Sequence, residues 1–179
     1  GPRAQRQARA LLVASNRDPA CRAARPALWL PPSLAVLPKL AVAGRLDADS
    51  SGLLVLSQCG ALCRHVVGAE GACAKEYAVR VRSLAPGRAV DRDEVLQALQ
   101  RPGFVLPGDD RPLRRPARAA WAGPDELRIT LTEGRHRQVR RMCRAVGLEV
   151  VALRRTRVGH LRLDGLRPGQ WRLFDAAEL

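Results

Sequence analysis

Asp47 stands in the polar stretch 44–51, directly ahead of the apolar run Gly52–Ser57 (GLLVLS). A carboxylate at the mouth of a strand too apolar to face solvent is held rigidly while it looks into a cleft, as nucleophilic or acid–base chemistry requires. Loop aspartates also cap their own turns, and both Asp47 and Asp49 are open to that reading. Tyr77 is the one tyrosine in the chain. On pattern alone a strand tyrosine fills a core as readily as it serves a site. A third cluster runs from Arg135 to Arg157, where eight arginines (Arg135, Arg137, Arg140, Arg141, Arg144, Arg154, Arg155, Arg157) accompany a single acid, Glu149. That density makes the segment a candidate track for phosphates, the alternative being a solvated face.

The whole composition leans the same way. Lys+Arg 31 against Asp+Glu 17 leaves a net charge of +14, which favours a polyanionic partner, nucleic acid first. Only Lys39 and Lys75 are lysines, and the arginine fork suits bidentate phosphate contact and base stacking. Five cysteines, an odd number, with no secretory leader pattern fit a reducing compartment. Cys59 and Cys63 lie four apart, but no second close pair or histidine pair completes a zinc pattern. There is no Gly-rich phosphate loop, no helix-turn-helix or zinc-finger pattern, and no apolar run near the roughly 20 residues that cross a bilayer.

These residues need elements to hold them. Residues 1–10 read as a flexible basic arm or as the frayed start of a strand at Ala10–Ala14, and five prolines make 15–40 loop-rich. Gly52–Ser57 reads as one buried strand and Gly60–Val67 as a helix, with Leu62, Cys63, Val66 and Val67 at helical spacing. Lys75–Val81 alternates, with Tyr77, Val79 and Val81 on one face. Asp91 caps a helix carrying Val95, Leu96 and Leu99, which Arg101-Pro102-Gly103 ends. Short hairpin strands are expected in 102–126, and Leu127–Thr132 alternates with Leu127, Ile129 and Leu131 inward. Arg137–Val146 is a helix stopped by Gly147, and strands follow near Val150–Leu153, His160–Leu163 and Trp171–Phe174. Strands with few, short helices predict an α+β fold, a mainly antiparallel or mixed sheet with flanking helices and a central cleft.

Four segments carry a resemblance: Gly44-Arg45-Leu46-Asp47, then Ser51-Gly52-Leu53-Leu54, then Lys75-Glu76-Tyr77, and finally the run from Glu133 to Met142 (EGRHRQVRRM). In order and spacing they resemble the successive motifs of the RsuA-like ribosomal RNA pseudouridine synthases, over about Val42 to Phe174. The resemblance implies a cofactor-free isomerase that converts a uridine in RNA, ribosomal RNA in particular, to pseudouridine. It implies Asp47 as the catalytic residue, Tyr77 as the aromatic partner of the flipped uracil, and Arg140 as the base that pairs with Asp47 and keeps it ionised and aimed. Arg45 is the expected wedge in the stack the target base leaves, and Leu131 an apolar wall for the uracil or plain core. Arg135, His136, Arg137, Arg141, Arg144, Arg154 and Arg155 are the expected RNA contacts. A cytoplasmic monomer whose partner is RNA, with no metal and no membrane, completes the expectation.

The first 40 residues depart from the family pattern. Members open the catalytic domain with a strand carrying Asn-Lys-Pro and a glycine, whereas the equivalent stretch here is Gln7-Ala8-Arg9-Ala10, and nothing upstream would house an S4 RNA-binding module. The expected organisation is therefore a divergent or truncated arm at 1–9 and a catalytic domain over 10–179. The competing reading is a catalytically silent RNA-binding or ribosome-assembly protein with the same fold, which would need the arginines but not the buried carboxylate.

Overall fold

The computed structural model describes residues 37, 39–68, 73–85, 87 and 89–174. The expected arm at 1–9, the strand at Ala10–Ala14 and the loop up to residue 36 lie outside the described residues. In chain order the elements are β1 (Ala41–Ala43), β2 (Ser51–Gly52), β3 (Val55–Ser57), α1 (Gly60–Val67), β4 (Lys75–Ser83), α2 (Arg92–Gln100), β5 (Arg118–Trp121), β6 (Glu126–Leu131), α3 (Gln138–Ala145), β7 (Leu148–Val158) and β8 (Leu161–Arg162). The large sheet runs β2-β7-β4-β6-β5, with β8 paired to β7, and β1 and β3 form a separate two-stranded sheet. Only β2 runs parallel to its neighbour β7; every other pairing is antiparallel. The α+β architecture expected from the sequence is the one observed.

Alternation decides which face of the central strands is buried. Val79 and Val81 of β4 and Leu127, Ile129 and Leu131 of β6 meet Val95 and Leu99 of α2 and Val139, Met142 and Cys143 of α3 in one core. Burial pushes the Cys143 thiol up to about 12, so it stays a neutral core residue. Asp91 caps α2 as its type predicts: its side chain accepts from the backbone N–H of Asp93 and Glu94 at 3.1 and 3.0 Å, an arrangement worth about 1 kcal/mol. A smaller core of Ala43, Leu53, Val55, Val66, Cys73, Val158 and Leu161 lies between the small sheet, α1 and β8.

Three sequence expectations need correction. Gly52–Ser57 is not one strand: it splits into β2, which joins β7, and β3, which joins β1. The break is set at Gly52, whose φ is +114° and whose missing Cβ would lie 2.3 Å from the Arg155 carbonyl oxygen. Only glycine tolerates that conformation and that closeness. Next, β7 extends five residues beyond Leu153, which carries Arg154, Arg155 and Arg157 into the sheet. Finally, Trp171–Phe174 forms no extended strand: Trp171 makes a single β-bridge and is buried against Leu37, Leu40, Leu56 and Leu173.

Candidate active site

The Asp47 loop leaves the small sheet after Ala43, turns through Gly44 at φ +89°, and returns to the large sheet at Ser51. Ser50 N–H donates to the Asp47 carbonyl at 3.0 Å, closing the turn. Among the described residues the Asp47 carboxylate has no hydrogen-bond or ion-pair partner, and the aspartate is half-buried. It does not cap its own turn. Its charge acts on Tyr77 and Arg137.

Tyr77 comes from β4, directly opposite Arg155 of β7. Burial is the main reason its phenol is pushed above the ordinary tyrosine value, and the negative charge of Asp47 adds to this while Arg155 opposes it. The hydroxyl therefore stays protonated at neutral pH. Gly52, Arg155 and Tyr77 form one row across β2, β7 and β4, continued by Ile129 in β6. A register shift between Glu76 and Tyr77 leaves Thr156 of β7 without a cross-strand partner. Such a bulge re-aims the side chains beside it, here Arg155 and Arg157.

Arginines grip the loop from two sides. Arg137 holds Asp49 through Nη2 at 2.9 Å, and Arg140 donates to the Asp49 carbonyl at 2.8 Å and to the Val150 carbonyl at 3.1 Å. The Arg140 Nε also lies 3.3 Å from the Asp49 carboxylate. The Arg137 hydrogen bond is the main reason the Asp49 carboxyl is held below the ordinary range. Arg137 adopts left-handed backbone geometry at φ 48°, a conformation costing a non-glycine residue about 1 kcal/mol or more. From the opposite side, the buried Arg155 donates through Nε to the Leu53 carbonyl at 2.8 Å and through Nη1 to the Arg45 carbonyl at 3.2 Å.

The structure thus brings Asp47, Tyr77, Arg137 and Arg155 together, but it pairs Arg140 with Asp49 rather than with Asp47. The expected phosphate track is divided. Arg155 is 2% exposed and cannot reach a phosphate. Arg135 is taken up by Asp109, Glu133 and the carbonyls of Arg111 and Pro112, and Arg141 by Asp109 and the carbonyls of Pro107 and His136. Those two arginines fasten the 104–113 hairpin to the approach to α3. Arg157 bonds the Gly159 carbonyl and lies 3.5 Å from Glu76. Arg144, Arg154, His136 and the Arg45 side chain remain on the surface. Leu131 is 4% exposed and belongs to the main core. An open cleft of about 600 Å³ is bounded by Val67, Asp109, Arg111, Arg114, Glu133 and Arg135, and neither the Asp47 loop nor Tyr77 lines it.

Sequence reasoning missed the tethering roles of Asp49 and Arg155, and the burial of Lys75. Lys75 is 5% exposed, its ammonium donates to the Cys73 carbonyl at 3.2 Å, and burial lowers its pKa. Inward alternation of β7 continued past Leu153 would have flagged Arg155. No local signal points to Asp49, whose partners lie 88 and 91 residues away.

Comparison with known proteins identifies the family. Residues 30–145 fit the family model described as RNA pseudouridylate synthase, and the chain belongs to that family. An uncharacterized RNA pseudouridine synthase of Aquifex aeolicus is 38% identical over 145 residues, covering 79% of this chain and 55% of that protein. The ribosomal small subunit pseudouridine synthase A of Salmonella typhimurium is 35% identical over 142 residues, covering 79% and 58%. The ribosomal large subunit pseudouridine synthase E of Xanthomonas campestris is 38% identical over 155 residues, covering 78% and 79%. A crystal structure of a pseudouridylate synthase superposes with a TM-score of 0.68 at 31% identity, over 78% of this chain and 58% of that one. The chain thus spans little more than half the length of the first two relatives.

Proposed function

We propose that this chain isomerises a uridine in ribosomal RNA to pseudouridine, with Asp47 as the essential catalytic group. The observation that carries the reading is an Asp47 carboxylate with no partner among the described residues, whose charge reaches Tyr77, thirty residues on in sequence. The reaction breaks the N1–C1′ bond, turns the uracil, joins C5 to C1′ and moves the C5 proton to N1, so no atom and no electron is gained or lost. An ionised carboxylate beside the sugar supplies the negative charge that cleavage at C1′ calls for. Tyr77 stacks on the extruded base, and its protonated hydroxyl passes the C5 proton on rather than waiting as a free phenolate. Arg140 serves Asp47 through the backbone of Asp49 rather than by a direct pair.

Arg45, exposed at the head of the loop, fills the gap that the target base leaves, since extrusion costs a few kcal/mol that an inserted side chain offsets. Arg144 and Arg154, with His136, Arg137 and the exposed arginines of 111–118, carry the phosphates. The catalytic domain is taken as 10–179, acting as a cytoplasmic monomer. The named activities of the Salmonella and Xanthomonas relatives support ribosomal RNA as the substrate.

Asp47→Asn keeps the shape of the side chain and removes its charge. Tritium release from RNA carrying 5-tritiated uridine is expected to fall to background, while RNA binding and thermal unfolding stay at wild-type values. Substantial turnover by the variant would remove Asp47 from the mechanism. Wild-type protein that binds RNA and releases no tritium from ribosomal RNA would support the silent-binder reading instead.

A further inference from the structure

Arg155 is the largest fully buried side chain among the described residues, and nothing in its position resembles a surface arginine. Burying a guanidinium costs several kcal/mol after relaxation, and an apolar side chain of similar volume would serve a core at least as well. The cost is raised further because Nη2 is buried with no hydrogen-bond partner among the described residues. What the residue obtains in exchange is specific contact with the Asp47 loop. Its guanidinium reaches the carbonyls of Arg45 and Leu53, the residues bracketing 46–52, and its own backbone carbonyl accepts from Leu53 N–H at 2.8 Å. Gly52 permits the approach, because any Cβ there would collide with the Arg155 backbone. Across the sheet the same residue stands opposite Tyr77.

We infer that Arg155 is a positioning residue for the isomerisation, clamping both ends of the Asp47 loop and setting the Asp47 carboxylate against Tyr77. A planar fork is needed for this, since Nε and Nη1 diverge toward two carbonyls eight residues apart in sequence, whereas an ammonium placed at one of them leaves the other unbonded. The positive charge has a second consequence. The Tyr77 phenol is faced by Arg155 from β7 and by Asp47 from the loop, and Arg155 opposes the upward push that burial and Asp47 exert. This inference rests on the proposed reaction, but the state of the loop and of Tyr77 is measurable without it.

The test compares wild type with Arg155→Lys and Arg155→Gln at a temperature where circular dichroism reports the folded fraction, and kcat is divided by that fraction. Both variants are expected to lose roughly 100-fold in kcat, the effect of a displacement of about 1 Å, with KM for RNA within about twofold of wild type. Hydrogen exchange over residues 45–53 is expected to quicken in both, while α2 and β6 keep their protection. Because Tyr77 is the one tyrosine, the near-ultraviolet absorbance of tyrosinate titrates it alone. Its midpoint is expected to rise in Arg155→Gln and to hold near wild type in Arg155→Lys, which keeps the charge. Folded variants with wild-type kcat and unchanged loop exchange would overturn the inference. Failure of both to fold would overturn it too, since Arg155 would then be a determinant of the fold as a whole. Absence of turnover by wild-type protein, with exchange and titration behaving as described, would reject the reaction and leave the clamp standing.

Discussion

The main core and the Asp47 loop are held by opposite means. In the core, β4, β6, α2 and α3 bury apolar side chains against one another, and no single contact defines the geometry. The loop buries little of its own and is held by directional bonds: Arg155 on the carbonyls of Arg45 and Leu53, Arg140 on the carbonyl of Asp49, Arg137 on its carboxylate. Apolar packing is strong in sum but weakly directional, whereas a hydrogen bond is modest in energy and strict in direction. Stability therefore resides in the first region and aim in the second. A carboxylate that must meet one atom of a nucleotide requires the second kind of support.

The sharpest way to separate the two regions is to damage each and measure both properties. Leu99→Ala empties a fully buried site in the core and is expected to lower unfolding free energy by about 2–5 kcal/mol in a denaturant titration. Turnover by the fraction still folded should be unchanged. Parallel loss of activity per folded molecule would mean that core and loop are coupled more tightly than this division allows.

A smaller effect of the reverse kind is expected from Asp49→Asn. It removes the charge that Arg137 holds while leaving the carbonyl that Arg140 uses, so kcat should fall about fivefold, the size of an exposed ion pair, with no measurable change in unfolding. The same contact gives a pH arm. The folded Asp49 carboxyl lies below its ordinary 3.8, so its contribution is complete above that value and is lost as pH falls through the lowered one. Faster hydrogen exchange in the loop should appear in wild type over that acidic range and be present at all pH values in Asp49→Asn. Loop exchange identical in the two proteins at neutral pH would show that Asp49 is not what ties the loop to α3.

The smallest effect concerns the surface. Arg144 and Arg154 are exposed, and replacing both by alanine is expected to flatten the slope of log K against log salt by about 1.4, or roughly 0.7 per phosphate contact on a single strand. Including Arg155 in the set should not flatten it further, because that residue is buried. A slope unchanged in the double variant would assign both arginines to a solvated face.

The sequence by itself determined a good deal. Periodicity identified α1, α2, α3, β4 and β6, because amphipathic elements record in their own residues which face is buried. Local chemistry identified the Asp91 cap and the Gly147 stop, since both act within one helical turn. Residue types, and the motifs that carry the family resemblance, singled out Asp47 and Tyr77, and the structure brings the two within electrostatic reach. The roles of the arginines were not legible there. Eight guanidinium groups between residues 135 and 157 look alike in sequence, yet Arg155 is buried under the loop, Arg137 and Arg140 hold Asp49, Arg135 and Arg141 fasten a hairpin, Arg157 bonds Gly159 and Glu76, and Arg144 and Arg154 face water. Which of these an arginine does depends on the carbonyls and carboxylates that distant segments bring to it, across 102 residues for Arg155 and Leu53, and only the tertiary structure sets those distances. The break at Gly52 has the same origin: an apolar run reads as one strand until a second backbone, that of Arg155, comes close enough to bend it.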